Sequence, residues 1–283
     1  MAQSHTVRRI ARMVVVAVVA CCAMLAAGCS SSYPSVEEAL QNGATSTLGA
    51  SDTLEAGVLT IGVNASNAPY AWRSSSGDEI QGIDVDSALA LADAMGLKAK
   101  FVDVGTDYEA ATNGLCDIVM GVTSSQVPAS EVLVGNYLES APAVFGKNVL
   151  ATTTVAELST ATVAVRSDSV AARALAAAVP TATLVPYDTL NDAFAALEGG
   201  EVQYVACDSL MGGYLATAYD DISFAGALAL PDMRGVAIPA SNSALQAAVQ
   251  SGLDAITSNG VLRVVRESWV GDLPSITTSN QVA

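Results

Sequence analysis

Histidine is almost missing from this 283-residue chain, since the only one, His5, lies close to the first residue. A chain without imidazole beyond that point has no base for Ser/His/Asp or Cys/His nucleophile systems and lacks the commonest metal ligand. Charge is also scarce, at 14% of residues, and positive charge scarcest: 12 Lys+Arg stand against 28 Asp+Glu, a net charge of −16. A surface of that sign argues against a nucleic-acid backbone or an anionic lipid surface as partner. Aromatic residues reach only 5% and cysteines number five. What is abundant is small and aliphatic: 51% of residues are hydrophobic and the mean hydropathy is +0.42. That supplies core for one large domain or two small ones.

The N-terminus has the layout of an export address. Arg8, Arg9 and Arg12 precede an uncharged run from Met13 to Gly28, which ends in Ala26-Ala27-Gly28 before Cys29. The run is short for a stable span, which wants about 20 residues. "LAAGC" resembles a bacterial lipobox, so residues 1–28 are read as a lipoprotein signal peptide and Cys29 as the lipid-bearing first residue of the mature chain; an uncleaved helical anchor is the rival reading. Removal of 1–28 leaves 9 positive and 28 negative side chains, a net charge of −19. Residues 29–51 are rich in Ser, Thr, Gly and Ala and read as a flexible tether. With Cys29 acylated, Cys116 and Cys207 remain; an oxidising envelope would permit them to pair, but one begins an apolar run and the other ends one, at opposite edges of their sheets, so buried free thiols are the better reading.

From Val58 onward β-type runs alternate with Ala/Leu-rich helical stretches. VLTIGV (58–63), KAKFVDV (98–104) and CDIVMGV (116–122) read as strands, with DVDSALALADAMG (84–96) as a helix, in an order taken as β-α-β-α-β. The pattern repeats in ATVAVRS (161–167), DSVAARALAAAV (168–179), TATLVPY (181–187), NDAFAALEGG (191–200) and VQYVACD (202–208). Two similar α/β lobes follow, with 136–151 and 222–238 as extended crossings between them. Beyond the second, a helix is expected to start at Ser241 or Ser243 and stop at Gly260, with VLRVVRESWV (261–270) helical after it.

These residues resemble the bacterial extracellular solute-binding proteins of family 3, substrate receptors of polar amino acid ABC importers. The resemblance rests on Gly82-Ile83-Asp84-Val85-Asp86 before an amphipathic helix, on "NAPYAW", "CDIVMGVTSS", "NYLES" and "LEGGEVQYVACDS", and on the closing "NGVLRVVRESWVG". It implies an α/β fold of the type II periplasmic-binding-protein kind, two lobes joined by two hinge strands, with lobe one in the segments 52–142 and 232–283 (the latter including a C-terminal tail) and lobe two at 143–231. It also implies a small polar solute, amino acid or amine, closed between the lobes, an ABC permease as partner, a monomer anchored to the outer face of the membrane, and neither cofactor nor metal.

In such receptors an acid at the end of the last lobe-two strand holds the ligand's ammonium, and here that is Asp208; the same residue could instead cap the following helix. Tyr70 and Trp72 match the aromatics that cover the ligand, with loop packing as the alternative. Asn67 shares their turn, and Gly121, Thr123 and Ser124 end the CDIVM strand. The arginine that grips the α-carboxylate in the family is missing, because no Lys or Arg lies between Lys100 and Lys147. The second carboxylate site reads Ser167-Asp168-Ser169-Val170, where Asp168 would repel an anion. Either Arg166 or Arg73 supplies the charge from a new direction, with Ser169 beside it, or the ligand is not a standard α-amino acid; Arg166 could also merely pair with Asp168. An enzyme on the same fold, dehydratase- or transglycosylase-like, and a sensory module that has lost its ligand are the alternatives from other classes.

Overall fold

The computed structural model describes residues 45–74 and 79–283. The signal segment, Cys29 and most of the tether lie outside the described residues. No helix among the described residues is long and apolar enough to cross a membrane.

The body from residue 44 onward carries two five-stranded sheets. In the first lobe, β1 (Val58–Val63) is followed by a small hairpin region of β2 (Ser66–Asn67), β3 (Ala71–Arg73) and β4 (Ile80–Gln81), then helix α1 (Ile83–Ala94), β5 (Lys98–Asp103), β6 (Ile118–Thr123) and β7 (Glu131–Ser140). The second lobe runs through β8 (Pro142–Lys147), α2 (Val155–Leu158), β9 (Thr162–Arg166), α3 (Val170–Ala178), β10 (Thr183–Tyr187), α4 (Leu190–Gly199), β11 (Tyr204–Asp208), α5 (Ser209–Ala216) and β12 (Ile222–Ala227). The chain then returns through β13 (Asp232–Pro239) to α6 (Ser243–Ser258) and α7 (Val261–Val270). Sheet one has the order β5-β1-β6-β13-β7 and sheet two β10-β9-β11-β8-β12.

Within each sheet the three strands of the α/β part are parallel, and the two strands that enter or leave a crossing are antiparallel. Central strands buried on both faces need unbroken apolar runs. β1 and β6 meet that demand, with all but one residue of each buried. The crossings expected at 136–151 and 222–238 are each two strands, one per sheet, with only Ala141 between the first pair. They run side by side: Asp232 is opposite Ser140, and Leu228 N–H donates to the Pro142 carbonyl at 2.8 Å.

Two expectations need correction. The second helix of a β-α-β-α-β lobe one does not form, and residues 104–117 run as turns. Gly105 and Gly114 bracket the stretch at φ 55° and 74°, breaking the helical path at both ends, and what lies between closes on turn bonds while Ala110 and Ala111 fill a small core of their own. The stretch read as a free tether also touches the body at its end, where Leu48 packs on the main core. The helix expected from Ser241 or Ser243 starts at Ser243, capped by Asn242, whose side chain accepts from Leu245 N–H at 3.1 Å.

After α7 the chain does not stop on the first lobe. Val270 and Leu273 pack on Gly213 of α5, Val282 N–H donates to the Ala227 carbonyl, and the Ala283 carbonyl accepts from Val155 N–H, all on the second lobe. Ile276 N–H meanwhile donates to Glu139 of β7 at 3.1 Å. The last residues therefore tie the two lobes together a third time.

The Gly82–Asp86 motif earns its residues structurally. Gly82 begins α1 at φ 138°, where a Cβ would stand 2.3 Å from the Tyr70 carbonyl oxygen. Ile83 is fully buried, Asp84 is buried and accepts from the Tyr137 hydroxyl at 2.5 Å, and Asp86 accepts from the Trp269 indole N–H at 2.7 Å. The motif thus joins α1 to β7 and α7.

Two variants test this packing. A Cβ on Gly212 of α5 would lie 2.1 Å from Phe145 of β8, so Gly212→Ala should lower unfolding free energy by about 2 kcal/mol despite the better helix former, read by urea unfolding. Burial holds the Asp84 carboxyl above its ordinary 3.8, partly offset by the Tyr137 bond and the Arg234 charge. Folded protein then binds the proton more tightly than unfolded, so this group's stabilisation is present below pH 3.8 and is lost as pH rises above it. Asp84→Asn should remove that component, and a pH series of unfolding curves for both proteins will give a shallower decline in the variant.

Candidate functional site

A cavity of about 230 Å³ lies where the crossings meet the carboxyl ends of the lobe-two strands. Its walls are Ser140, Ala141 and Pro142 of the first crossing, Asp232 and Arg234 of the second, Thr123 of β6, Arg166 at the end of β9, Ser169 and Val170 at the start of α3, and Asp208 and Met211 at the start of α5. The volume falls below that of sites for drug-sized ligands, roughly 300–1,000 Å³, and suits a small solute. A larger open groove of about 700 Å³ is lined by Lys147, Glu157, Tyr204 and neighbours. It opens at the amino ends of β9 and β11, the wrong edge for a ligand in an α/β sheet, and its lysine is already held by Glu198 and Asp221 at 3.1 and 3.2 Å.

Asp208 does two jobs. As the cap of α5 its Oδ1 accepts from Leu210 N–H at 3.0 Å and Met211 N–H at 3.2 Å, and the same oxygen accepts from the Tyr70 hydroxyl at 2.8 Å. Its Oδ2 takes no protein hydrogen bond among the described residues and the side chain borders the cavity. Helix capping and a cleft position therefore coexist on one carboxylate. Tyr70 is buried in lobe one, so its bond to Asp208 crosses between lobes; burial and the neighbouring negative charge of Asp208 push its hydroxyl well above the ordinary tyrosine range.

Arg234 escaped the sequence reading. Its guanidinium lies 4.2 Å from the Tyr70 ring centre, and Nη1 donates to the Gly121 carbonyl at 2.8 Å. Gly121 can present that carbonyl because it sits at φ 78°, where a side chain would meet Asp84 Oδ2 at 2.7 Å. The Nε of Arg234 is buried without a hydrogen-bond partner. Burial lowers its proton affinity, but the fields of Tyr70, Asp84, Asp208 and Tyr137 outweigh burial and hold it firmly charged. A signal was available: Arg234 is the single cation in the 222–238 stretch already read as a crossing, and crossings face the cleft.

The remaining expected residues divide. Thr123, Arg166 and Ser169 line the cavity with Asp208, while Tyr70 and Gly121 stand behind it through Asp208 and Arg234. Ser169 caps α3, accepting from Ala172 N–H at 3.0 Å. Asn67, Trp72 and Ser124 are not among the lining residues. Asn67 pairs with Ala71 in the small hairpin, and Ser124 is in an exposed turn. Trp72 stands edge-on to Trp269 at 5.1 Å and tilted to Tyr214 at 5.8 Å, as a packing residue would. Arg73 is bound up with Asp103 at 3.6 Å on the surface, away from the cavity. No ion pair joins Arg166 to Asp168 among the described residues; Asp168 instead turns at φ 58° and its carbonyl accepts from Arg173.

Cys116 and Cys207 are free and buried, one at the entry to β6 and the other in β11. Burial pushes the Cys116 thiol up to about 12 and Cys207 well above the ordinary range, which leaves both unreactive at neutral pH. Among the described residues no three His, Cys, Asp or Glu side chains gather as a metal site would.

The family model for bacterial extracellular solute-binding proteins, family 3, matches residues 59–272. No curated protein matches the sequence significantly. Among solved structures, a polar amino acid ABC uptake transporter substrate-binding protein from Streptococcus thermophilus superposes with a TM-score of 0.69 at 18% identity, over 78% of this chain and 88% of that one. The L-cystine solute receptor of Neisseria gonorrhoeae, unliganded and open, gives 0.65 at 20% identity, over 78% and 96%. An ancestral amino acid-binding protein, precursor of cyclohexadienyl dehydratase, gives 0.54 at 22% identity, over 76% and 95%. At such identities the structures speak for the type II binding-protein fold, and with the family match over most of its length the chain belongs to the bacterial extracellular solute-binding proteins, family 3.

Proposed function

We propose that the chain captures a small polar solute, an amino acid or a related amine, between its lobes and delivers it to an ABC importer from the outer face of the cell membrane, held there by a lipid on Cys29. The observation that carries this reading is Asp208: a carboxylate at the carboxyl end of a lobe-two strand, fixed through one oxygen by two backbone N–H groups and Tyr70, with no partner for the other oxygen among the described residues and its side chain lining a solute-sized cavity at the hinge. A carboxylate held in place and partly withdrawn from water binds an ammonium by a charge-assisted hydrogen bond without reorganising. The named amino acid receptors among the similar structures support the solute class. The chain acts as a monomer, as a receptor that offers both lobes to a permease does. On this reading the solute is bound and released chemically unchanged, with Asp208 as an ammonium anchor and not a proton shuttle.

The test is a thermal-shift and calorimetry screen of the full chain, stripped of carried ligand, against amino acids, amines and polyamines. A true ligand at a hundred times its dissociation constant adds about 2.7 kcal/mol of stability, and it should be recovered unaltered after incubation. Asp208→Asn keeps a good helix cap while removing the charge, so it should weaken that ligand by about tenfold to a hundredfold with little change in the unliganded melting point. Equal affinity in the variant, or conversion of the solute to a product, would overturn the reading.

A further inference from the structure

We propose that Arg234, on the second crossing strand, binds the carboxylate of the ligand, replacing the arginine that is missing after β6. The inference rests on the solute-capture reading and deepens it: the substrate carries an anionic group beside its amine.

Four observations converge on this residue. Arg234 lines the hinge cavity that Asp208 also lines. Its guanidinium is mostly buried, and no carboxylate stands within ion-pair distance of it among the described residues: Asp84 and Asp208 act on it as neighbouring charges, while Asp84 accepts from Tyr137 and Asp208 Oδ1 from Tyr70, Leu210 and Met211. Only Nη1 has a protein hydrogen bond, and Nε is buried without one. The surrounding acids keep the guanidinium charged while leaving part of its donor fork unused, and a ligand carboxylate is the acceptor that such a fork matches. Finally, the ring of Tyr70 is common to both polar anchors: its face lies under Arg234 and its hydroxyl holds Asp208. Cation and anion are thereby both placed by one side chain and both line one cavity, as the carboxylate and ammonium of an amino acid head group require.

Arg166 is the competing cation, lining the same cavity from lobe two. It ends its strand exposed, free of the stacking that fixes Arg234, and a mobile cation gives up more side-chain entropy on binding. The anion therefore goes to the preorganised group.

The experiment is calorimetric titration of the full chain with L-arginine, L-lysine, L-glutamine and L-cystine, each paired with its carboxamide or with the amine left when the carboxylate is removed. Wild type should bind at least one amino acid about a hundredfold more tightly than its carboxylate-free partner. Arg234→Met should bring the amino acid down to the level of that partner while changing the partner less than about threefold, and Arg166→Met should leave the ratio intact. Arg234→Lys, which keeps the charge but loses the fork, should retain an intermediate preference and serves as the folded control, since a ratio of two ligands on one protein is insensitive to general destabilisation. Loss of the preference in Arg166→Met, or its persistence in Arg234→Met, overturns the assignment of Arg234 while solute capture stands. Absence of binding by every amino acid to wild type overturns this inference, and solute capture falls with it only where the wider screen of amino acids, amines and polyamines also finds no ligand.

Discussion

The structure turns on one tyrosine. Tyr70 is fixed in lobe one by burial and by the close approach of Gly82 to its backbone, and it reaches the second lobe through its hydroxyl bond to Asp208. Its ring also carries Arg234, which in turn needs the bare backbone of Gly121, which stands against Asp84, which is tied to Tyr137 of the first crossing. Each member is placed by the next, and all sit at the hinge. In a low-dielectric setting such a chain is worth more complete than in parts, because any vacancy strands a buried polar group.

Much of this architecture was legible in the amino-acid sequence because it rests on periodicity. The runs VLTIGV and CDIVMGV can only be central strands when both faces are covered, and Gly96 and Gly200 mark helix ends plainly. The 104–117 segment misled because a second helix was expected from the β-α-β-α-β order alone, whereas this stretch, with Gly105 and Gly114 at positive φ, runs as turns.

The site was harder to read. Asp208 was visible because its position follows from a strand end, and strand ends are what the pattern reveals best. Arg234 was not, because its meaning comes from contacts with Tyr70 and Gly121, more than 100 residues away in the chain. Trp72 shows the converse: nearness to Tyr70 suggested a shared role, but Tyr70 lies in the turn before β3, buried with its hydroxyl on Asp208, while Trp72 lies within β3 and joins Trp269 and Tyr214.

The C-terminal tail gives the motion of the body its character. Two strands running side by side define an axle about which one half can swing freely. The segment after α7, bonded to Glu139 on one half and to Ala227 and Val155 on the other, lies off that axle and acts as a stay: its contour length bounds the swing, and wide opening requires it to peel away from the edge of β12. The body is thus geared for short strokes: so long as the tail stays bonded to both lobes, the lobes can part only by a small angle.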